Sequence, residues 1–563
     1  HADVKAAAES GDLLVSTQTR VEYDGFMWIR LSIEAKQPID IQSLAVEIPM
    51  RGEQASLVHE LSKGYEHVRT NSGRIPDRGW RKNLFQKPIF WVGNEDAGLQ
   101  WFAENLKGWS VRDENNSATA RRDPATGDML VSLNLVDHPI KLEGRRTIEF
   151  GLMPTPVRPL PEHWRAFRGG KNAIVWFPYT KLFNYPGRDQ VIDNAYVQQV
   201  MSSNTTKPVA YYHAFYMTTP LSPQWPYWAQ LWHLDPPALG QYKDSITNRQ
   251  WVSTHVSAAS SSYRDFYLWR MNEAMETHGI KDLYFDHGVP RMDKNTEHGS
   301  GWIDDSGRLR ESYNILGTRE LARRVYILLH QHSPNGIIVN HMSEEPAMPV
   351  LAYADYMVDG ELYCRQVAED RSYYNVFRPD LFRAQFMSRQ WGPVSLFIPQ
   401  FERGSEAFDK SSVDFWKTPE AQKPLNNYIG YILVHDAKTW PIFGVNMDPV
   451  YAAQDAFGWD EPMRFVGYWD QSSPFHLEGQ PANASDSRRM VSGYIKPDSI
   501  MLILFNDTDK DQTFAVDVDM KQAGVSKGLT QATNALTQEP VSWSGDRLTE
   551  LVPAREFRMV VLK

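Results

Sequence analysis

The chain has almost no cysteine. Cys364 is the only one in 563 residues, which excludes an internal disulfide and any cysteine-rich zinc site. No unbroken apolar run of about 18 residues occurs, so no membrane-spanning helix is expected. There is no basic surplus either: 59 Lys and Arg stand against 69 Asp and Glu, a formal charge of -10. No strongly basic patch lies along the chain, so nucleic acid is not an expected partner. The P-loop, the Gly-x-Gly-x-x-Gly turn behind a strand and the Gly-x-Ser-x-Gly elbow are all missing, and no cofactor is expected. The chain opens at His1 without a basic and apolar leader segment. A periplasmic or secreted protein with its signal peptide removed is expected, the cytoplasm being left open.

Aromatic residues, by contrast, are plentiful: 19 Trp, 25 Tyr and 25 Phe. Many lie beside glycine, proline or polar residues, as in Ser-Pro-Gln-Trp-Pro-Tyr-Trp over 222–228. Flat apolar faces with a polar rim suit stacking on sugar rings, although large cores need such residues too.

Hydrophobic periodicity divides the chain in three. Residues 1–20 are Ala-rich and read as weakly helical. From Val21 the pattern has period two, with Met27, Ile29, Leu31 and Ile33 apolar, then Leu44, Val46 and Ile48. Pro88 to Val92, the turn 93–98 and Leu99 to Phe102 read as a hairpin. Residues 1–160 are expected to form an antiparallel β-sandwich, ended by Pro154, Pro156, Pro159 and Pro161.

Continuous apolar runs then alternate with helical patterns. The runs begin at Ala173, Pro208, Trp251, Leu283, Gly336, Tyr356, Val394 and Trp440. Eight such strands over 161–472 predict a (β/α)8 TIM-type barrel, a parallel sheet buried on both faces. Helices are predicted after Ser260, ending at Gly279, over Leu321 to Leu329, and over Leu425 to Val434. Alternation returns over 473–563, which reads as a small C-terminal antiparallel β-sandwich.

The chemistry concentrates from Lys281 to Tyr363. The predicted fourth strand ends at Asp286, and the sixth ends in Asp359 and Glu361. Carboxylates two strands apart in a barrel can face one another across its mouth. Such a pair hydrolyses glycosides with retention when close and with inversion when wider. One carboxyl must stay ionised and the other must keep a proton, so their surroundings must separate the two pKa values. Asp286 is assigned as nucleophile and Glu361 as acid/base. Asp359 is the alternative acid, because 359 and 361 share a face if the strand continues. His213, Trp232, His287, Arg291, His298, Trp302, Asn340, His341 and Tyr363 are the expected sugar-binding residues, by hydrogen bonding or stacking. No metal is expected. Asp293, Asp304, Asp305 and the histidines are the only candidates, they lack a His-Glu-x-x-His spacing, and 304–307 reads as a turn. An oligosaccharide is the expected partner, and self-association is left open.

The succession Tyr284-Phe285-Asp286, His298 to Asp304, Asn340-His341-Met342-Ser343 and Asp359-Gly360-Glu361 resembles bacterial glycoside hydrolases. It is most similar to barrels grouped near glycoside hydrolase families 123 and 129, with family 129 the closer. The resemblance implies a nucleophile after strand four and an acid/base after strand six, matching Asp286 and Glu361. It implies an exo-acting, retaining α-glycosidase for galactose-type sugars. These are 3,6-anhydro-D-galactose from carrageenan oligosaccharides or, alternatively, N-acetylgalactosamine. A non-catalytic carbohydrate-binding barrel is a further alternative. Family 123 enzymes use an adjacent Asp-Glu pair with help from the substrate's acetamido group. Here the only such steps are Asp113-Glu114 and Asp460-Glu461, neither behind strand four.

Overall fold

The computed structural model describes residues 1–62, 68–168, 175–177, 202, 209–220, 222–237, 239–243, 250–342, 344–369, 373–398, 418–440, 445–481, 487–526 and 528–563. Ala173 and Ile174 of the expected first strand, Pro208 of the second, Ser343, and Pro441 to Phe443 of the eighth lie outside these residues.

The early period-two alternation folds into two antiparallel sheets, one of eight strands and one of four. Met27–Ala35 pairs with Arg145–Thr155, and Leu31, Ile33, Ile148 and Phe150 enter one apolar core with Trp101 and Trp109. The expected hairpin forms between Ile89–Gly93 and Gly98–Phe102. The Ala-rich start is not helical. Ala2–Ser10 pairs antiparallel with Leu13–Val21 through Gly11, whose φ is 59°. Leu13–Val21 is rich in Val and Thr and pairs onward with Met27–Ala35. A neighbouring strand that offers every backbone hydrogen bond overrides alanine's helix propensity.

A seven-stranded, wholly parallel sheet follows: β1 (Val175–Phe177), β2 (Val209–His213), β3 (Asp282–Asp286), β4 (Ile338–His341), β5 (Tyr356–Asp359), β6 (Val394–Phe397) and β7 (Lys438–Thr439). Neighbours in the sheet are neighbours in sequence, joined by pairings from β1–β2 through β6–β7. Among the described residues no pairing closes β7 onto β1, so the expected eight-stranded barrel is seen as an open parallel arc.

The expected third strand is not part of this sheet. Gln250–His255 pairs antiparallel with Leu239–Lys243 and Met217–Thr218 instead. Its run mixes Gln250, Ser253, Thr254 and His255 with its apolar residues, which suits a small antiparallel layer better than a sheet covered on both faces. Asp286 therefore ends the third parallel strand and Asp359 the fifth. The two-strand separation survives the recount.

Helices α1 (Ser261–His278) and α2 (Ile315–His332) cover the sheet as predicted. Gly279 ends α1 in the left-handed region, φ 63°. Helix α3 (Pro419–Val434) lies between the parallel sheet and the C-terminal sandwich of five and four strands. A Cβ on Gly430 of α3 would stand 2.6 Å from the Phe505 ring, so glycine permits this close approach. The first sandwich also shares a core with the sheet. Leu57, Ile89, Trp91 and Phe102 pack in one cluster with Phe285 and Trp391, the two indoles 4.7 Å apart. No described helix is long and apolar enough to cross a membrane.

Candidate active site

β3 has the sequence Asp-Leu-Tyr-Phe-Asp and is buried until its last residue. Asp286 at its end keeps 20% of its side chain exposed. The chain then turns sharply. His287 adopts φ 50°, in the left-handed region, which a histidine enters at some cost and which tends to mark functional sites. At Gly288 an added Cβ would strike the Asn340 side chain. The Asn340 amide donates to the Gly288 carbonyl at 2.9 Å. Asn340 thus fixes the turn that aims Asp286, and its own Oδ1 is buried without a hydrogen-bond partner among the described residues.

β4 brings His341 beside Asp286, the two being register partners. The imidazole lies between the two assigned carboxylates. Nδ1 is 3.5 Å from Asp286 Oδ1 and Nε2 is 3.2 Å from Glu361 Oε2. Nδ1 also lies 2.9 Å from the Tyr284 hydroxyl. Burial alone would favour a neutral ring. The hydrogen bond and charge of Glu361, with Asp286 and Asp359 beyond, overcome it and hold the pKa above the ordinary histidine value. The His287 ring stacks parallel to His341 at 6.0 Å, and burial holds its own pKa down. One imidazole is thus drawn towards the cation and its neighbour towards the neutral form, a result of where the carboxylates lie.

β5 ends at Asp359. Gly360, at φ 114°, breaks the strand, and Glu361 begins a short 3₁₀ turn over Glu361–Tyr363. A Cβ on Gly360 would lie 2.7 Å from the Phe397 ring. The strand does not continue, so Asp359 and Glu361 do not share a strand face. Glu361 meets His341. Asp359 accepts from the Gln385 amide and the Gly360 N–H, both at 2.7 Å, and Gln385 in turn accepts from the Tyr363 hydroxyl at 2.8 Å. Burial lifts the Asp359 pKa to about 6, against the lowering effect of those bonds.

That shift has a measurable consequence. A carboxyl whose folded pKa exceeds its unfolded value, ordinarily about 3.9, destabilises the fold as pH rises through that window. Between pH 5 and 7 the wild type is expected to lose about 1 kcal/mol relative to Asp359→Asn, read by chemical denaturation at both pH values. A pH-independent difference between the two proteins would contradict this environment for Asp359.

The expected sugar-binding residues divide into two groups. Arg291 reaches the site through Tyr216. Its guanidinium lies 4.3 Å above the Tyr216 ring, and that ring meets His287 edge-on at 5.9 Å. Tyr363 belongs to the Asp359 network. The others are engaged inside the protein. His213 is buried and bonded to the Tyr267 hydroxyl at 2.8 Å. Trp232 is a core residue whose N–H donates to Ser262 at 2.8 Å. His298 joins Asp293 at 2.5 Å and the Leu231 carbonyl at 2.8 Å, tying its own loop to the helix Trp225–Trp232. Trp302 packs into the first sandwich and donates to the Glu311 carbonyl. Burial with internal partners gives these four a packing role.

No group of three metal-ligating side chains is found among the described residues. The His330-x-His332 step lies on α2, where residues two apart point away from each other. His330 bonds to the Tyr326 carbonyl and His332 to Asn272. Asp304 accepts from Ser306 and Arg308 in the expected turn.

Sequence reasoning missed Glu344. Glu344-Glu345 is an adjacent acidic pair behind β4, the fourth strand by the corrected count. Glu344 lies 2.6 Å from Lys87 and 3.5 Å from Arg291, and these cations outweigh burial to hold its carboxyl below the usual range. Glu345 is fully buried, accepts from the Leu61 N–H, and burial lifts its pKa to about 8. The visible signal is two adjacent carboxylates that begin three residues past a strand end. The Asp-Glu steps that drew attention lie elsewhere, Glu114 pairing with Arg310 and Glu461 with Lys496.

Residues 1–108 match the family model described as glycoside hydrolase 123, third domain. Residues 1–108 are thus similar to a glycoside hydrolase domain, in keeping with the resemblance to glycoside hydrolases near family 123. No curated protein matches the chain. Among solved structures it is similar to a family 36 α-galactosidase from Geobacillus stearothermophilus in complex with 1-deoxygalactonojirimycin. The TM-score is 0.47 at 11% identity, covering 98% of this chain and 82% of that one. An Anoxybacillus α-amylase gives a TM-score of 0.41 at 10% identity, over 69% and 86%. Likenesses this distant carry no argument about activity.

Proposed function

We propose that the protein is a glycoside hydrolase acting on an oligosaccharide at the carboxyl ends of β3 to β5. We read the parallel arc as part of a (β/α)8 barrel, which its strictly sequential strand order supports. One observation carries the functional reading: Asp286 and Glu361 meet the two nitrogens of one buried imidazole. Paired carboxylates in unlike surroundings are what glycosidic cleavage needs. Asp286, the more exposed of the two, is the nucleophile. Glu361, whose Oε2 lies 3.2 Å from His341 Nε2 and can exchange a proton with it, is the acid/base. Asp359 is the second choice of acid, because burial favours its protonated form.

The substrate class follows from the resemblance to family 129: an α-linked, galactose-type sugar at a chain end, cleaved with retention, with 3,6-anhydro-D-galactose of carrageenan first. The family 123 domain match and the acidic pair behind the fourth strand favour a second reading, an N-acetylgalactosaminide. A chromatographic screen of oligosaccharides, including carrageenan and mucin fragments, tests both, with anomer-resolved NMR of the product. Release of one sugar with its anomeric configuration kept is the expected result. Inversion would remove the nucleophile role from Asp286. Sugar binding without release from any glycan would leave a non-catalytic binding protein.

A further inference from the structure

The loop behind β4 is gripped by the first sandwich at three points. Lys87 Nζ meets Glu344 Oε2 at 2.6 Å. The Leu61 N–H donates to Glu345. Gln100 grips the next stretch with both ends of its amide. Its nitrogen donates to the Pro346 carbonyl and its oxygen accepts from the Met348 N–H, each at 2.7 Å. All three sandwich residues sit on rigid ground. Lys87 lies two residues before the wholly buried strand Ile89–Gly93. Leu61 is fully buried. Gln100 lies mid-strand, opposite Trp91. The gripped loop follows His341 without a break in sequence, and its Glu344 reaches Arg291.

We infer that the first sandwich completes the site, with Lys87 a positioning residue that holds Glu344 so that Glu344 holds Arg291 over Tyr216, whose ring meets His287. Lys87 itself touches none of the reacting carboxylates. Its ammonium neutralises one oxygen of Glu344 and leaves the other to the guanidinium. With Lys87 gone, both Glu344 oxygens become free to draw Arg291 away from Tyr216. A half-buried three-charge chain of this kind is sensitive to the loss of one member, because the remaining charges must find new partners. The inference rests on the site proposed above. It gives the matched domain a part in that site rather than a separate role.

The test uses the full chain with Lys87→Met, Lys87→Arg and Glu344→Gln. Phenylglyoxal modification of Arg291, followed by peptide mass spectrometry, reads the position of the guanidinium without any need for activity. Lys87→Met and Glu344→Gln are expected to change the Arg291 modification rate several-fold, and Lys87→Arg to restore it. On the glycan found by the screen, Lys87→Met is expected to lower kcat/KM by about 100-fold, the effect of a misplaced binding group, with Lys87→Arg again rescuing. Thermal unfolding reports which variants fold, and Glu344→Gln serves if Lys87→Met does not. Unchanged Arg291 labelling in a folded Lys87→Met or Glu344→Gln protein overturns the inference, as does an unchanged kcat/KM. A shifted label in a protein that cleaves no glycan upholds the positioning role and removes the hydrolase reading instead.

Discussion

Asp286→Asn and Glu361→Gln are each expected to lower turnover by at least about 10²–10⁴-fold, the range for removing a positioned proton-transfer group, while the protein folds. Folding survives for a structural reason. Asp286 is partly exposed, and its nearest partners, His341 and His287, stand at 3.5 Å and 3.6 Å. Neither distance is that of a close hydrogen bond. Glutamine at 361 still presents an amide oxygen to His341 Nε2. The two variants differ in kind. In the proposed retaining mechanism asparagine would form no covalent intermediate, so Asp286→Asn is expected to stop the first step. Glutamine cannot give up a proton, so Glu361→Gln is milder on substrates with good leaving groups. The measurement is kcat on the glycan identified by the screen, beside circular dichroism melting. Wild-type turnover in either variant would remove that residue from the mechanism.

His341→Leu carries the largest effect on stability. The imidazole stands among Asp286, Glu361 and Asp359, and only 7% of its side chain is exposed. Leucine removes the cation that meets Glu361, itself 6% exposed. Breaking a buried charge pair by deleting one member typically costs about 3–5 kcal/mol, and a loss in that range is expected in chemical denaturation near pH 6. The pH dependence has a definite sign. The folded pKa of His341 is raised, so its stabilising contribution is complete below the unfolded value of about 6.5 and fades as pH rises through the folded value. The gap between wild type and His341→Leu therefore narrows towards alkaline pH. A gap that widens with pH would contradict an imidazole held towards its charged form.

What the sequence by itself determined was local. Period-two alternation marked Met27–Ala35 and its neighbours as sandwich strands. Continuous apolar runs marked β3, β4, β5 and β6, and the stripe from Tyr263 to Met275 marked α1. The ends of those runs marked Asp286, His341, Asp359 and Glu361. Each of these features lies within one element, where side-chain period and terminal residue types are set by a few neighbours in the chain.

Tertiary structure decided the rest. Alanine-rich residues 2–10 became a strand because Leu13–Val21 stood beside them. Gln250–His255 left the parallel sheet because Leu239–Lys243 paired with it in an antiparallel layer. Gly360 ended β5, so Asp359 turned to Gln385 and Glu361 to His341, a separation that alternation along a strand could not reveal. The roles of His213, Trp232, His298 and Trp302 followed from partners such as Tyr267, Ser262 and Asp293, which lie on other elements. Lys87 and Glu344 are 257 positions apart in sequence, and only the packing of the first sandwich against the loop behind β4 brings them together. Periodicity reports which face of an element is buried. It carries no information about which distant charge will meet that face, because that pairing is set by how whole layers dock.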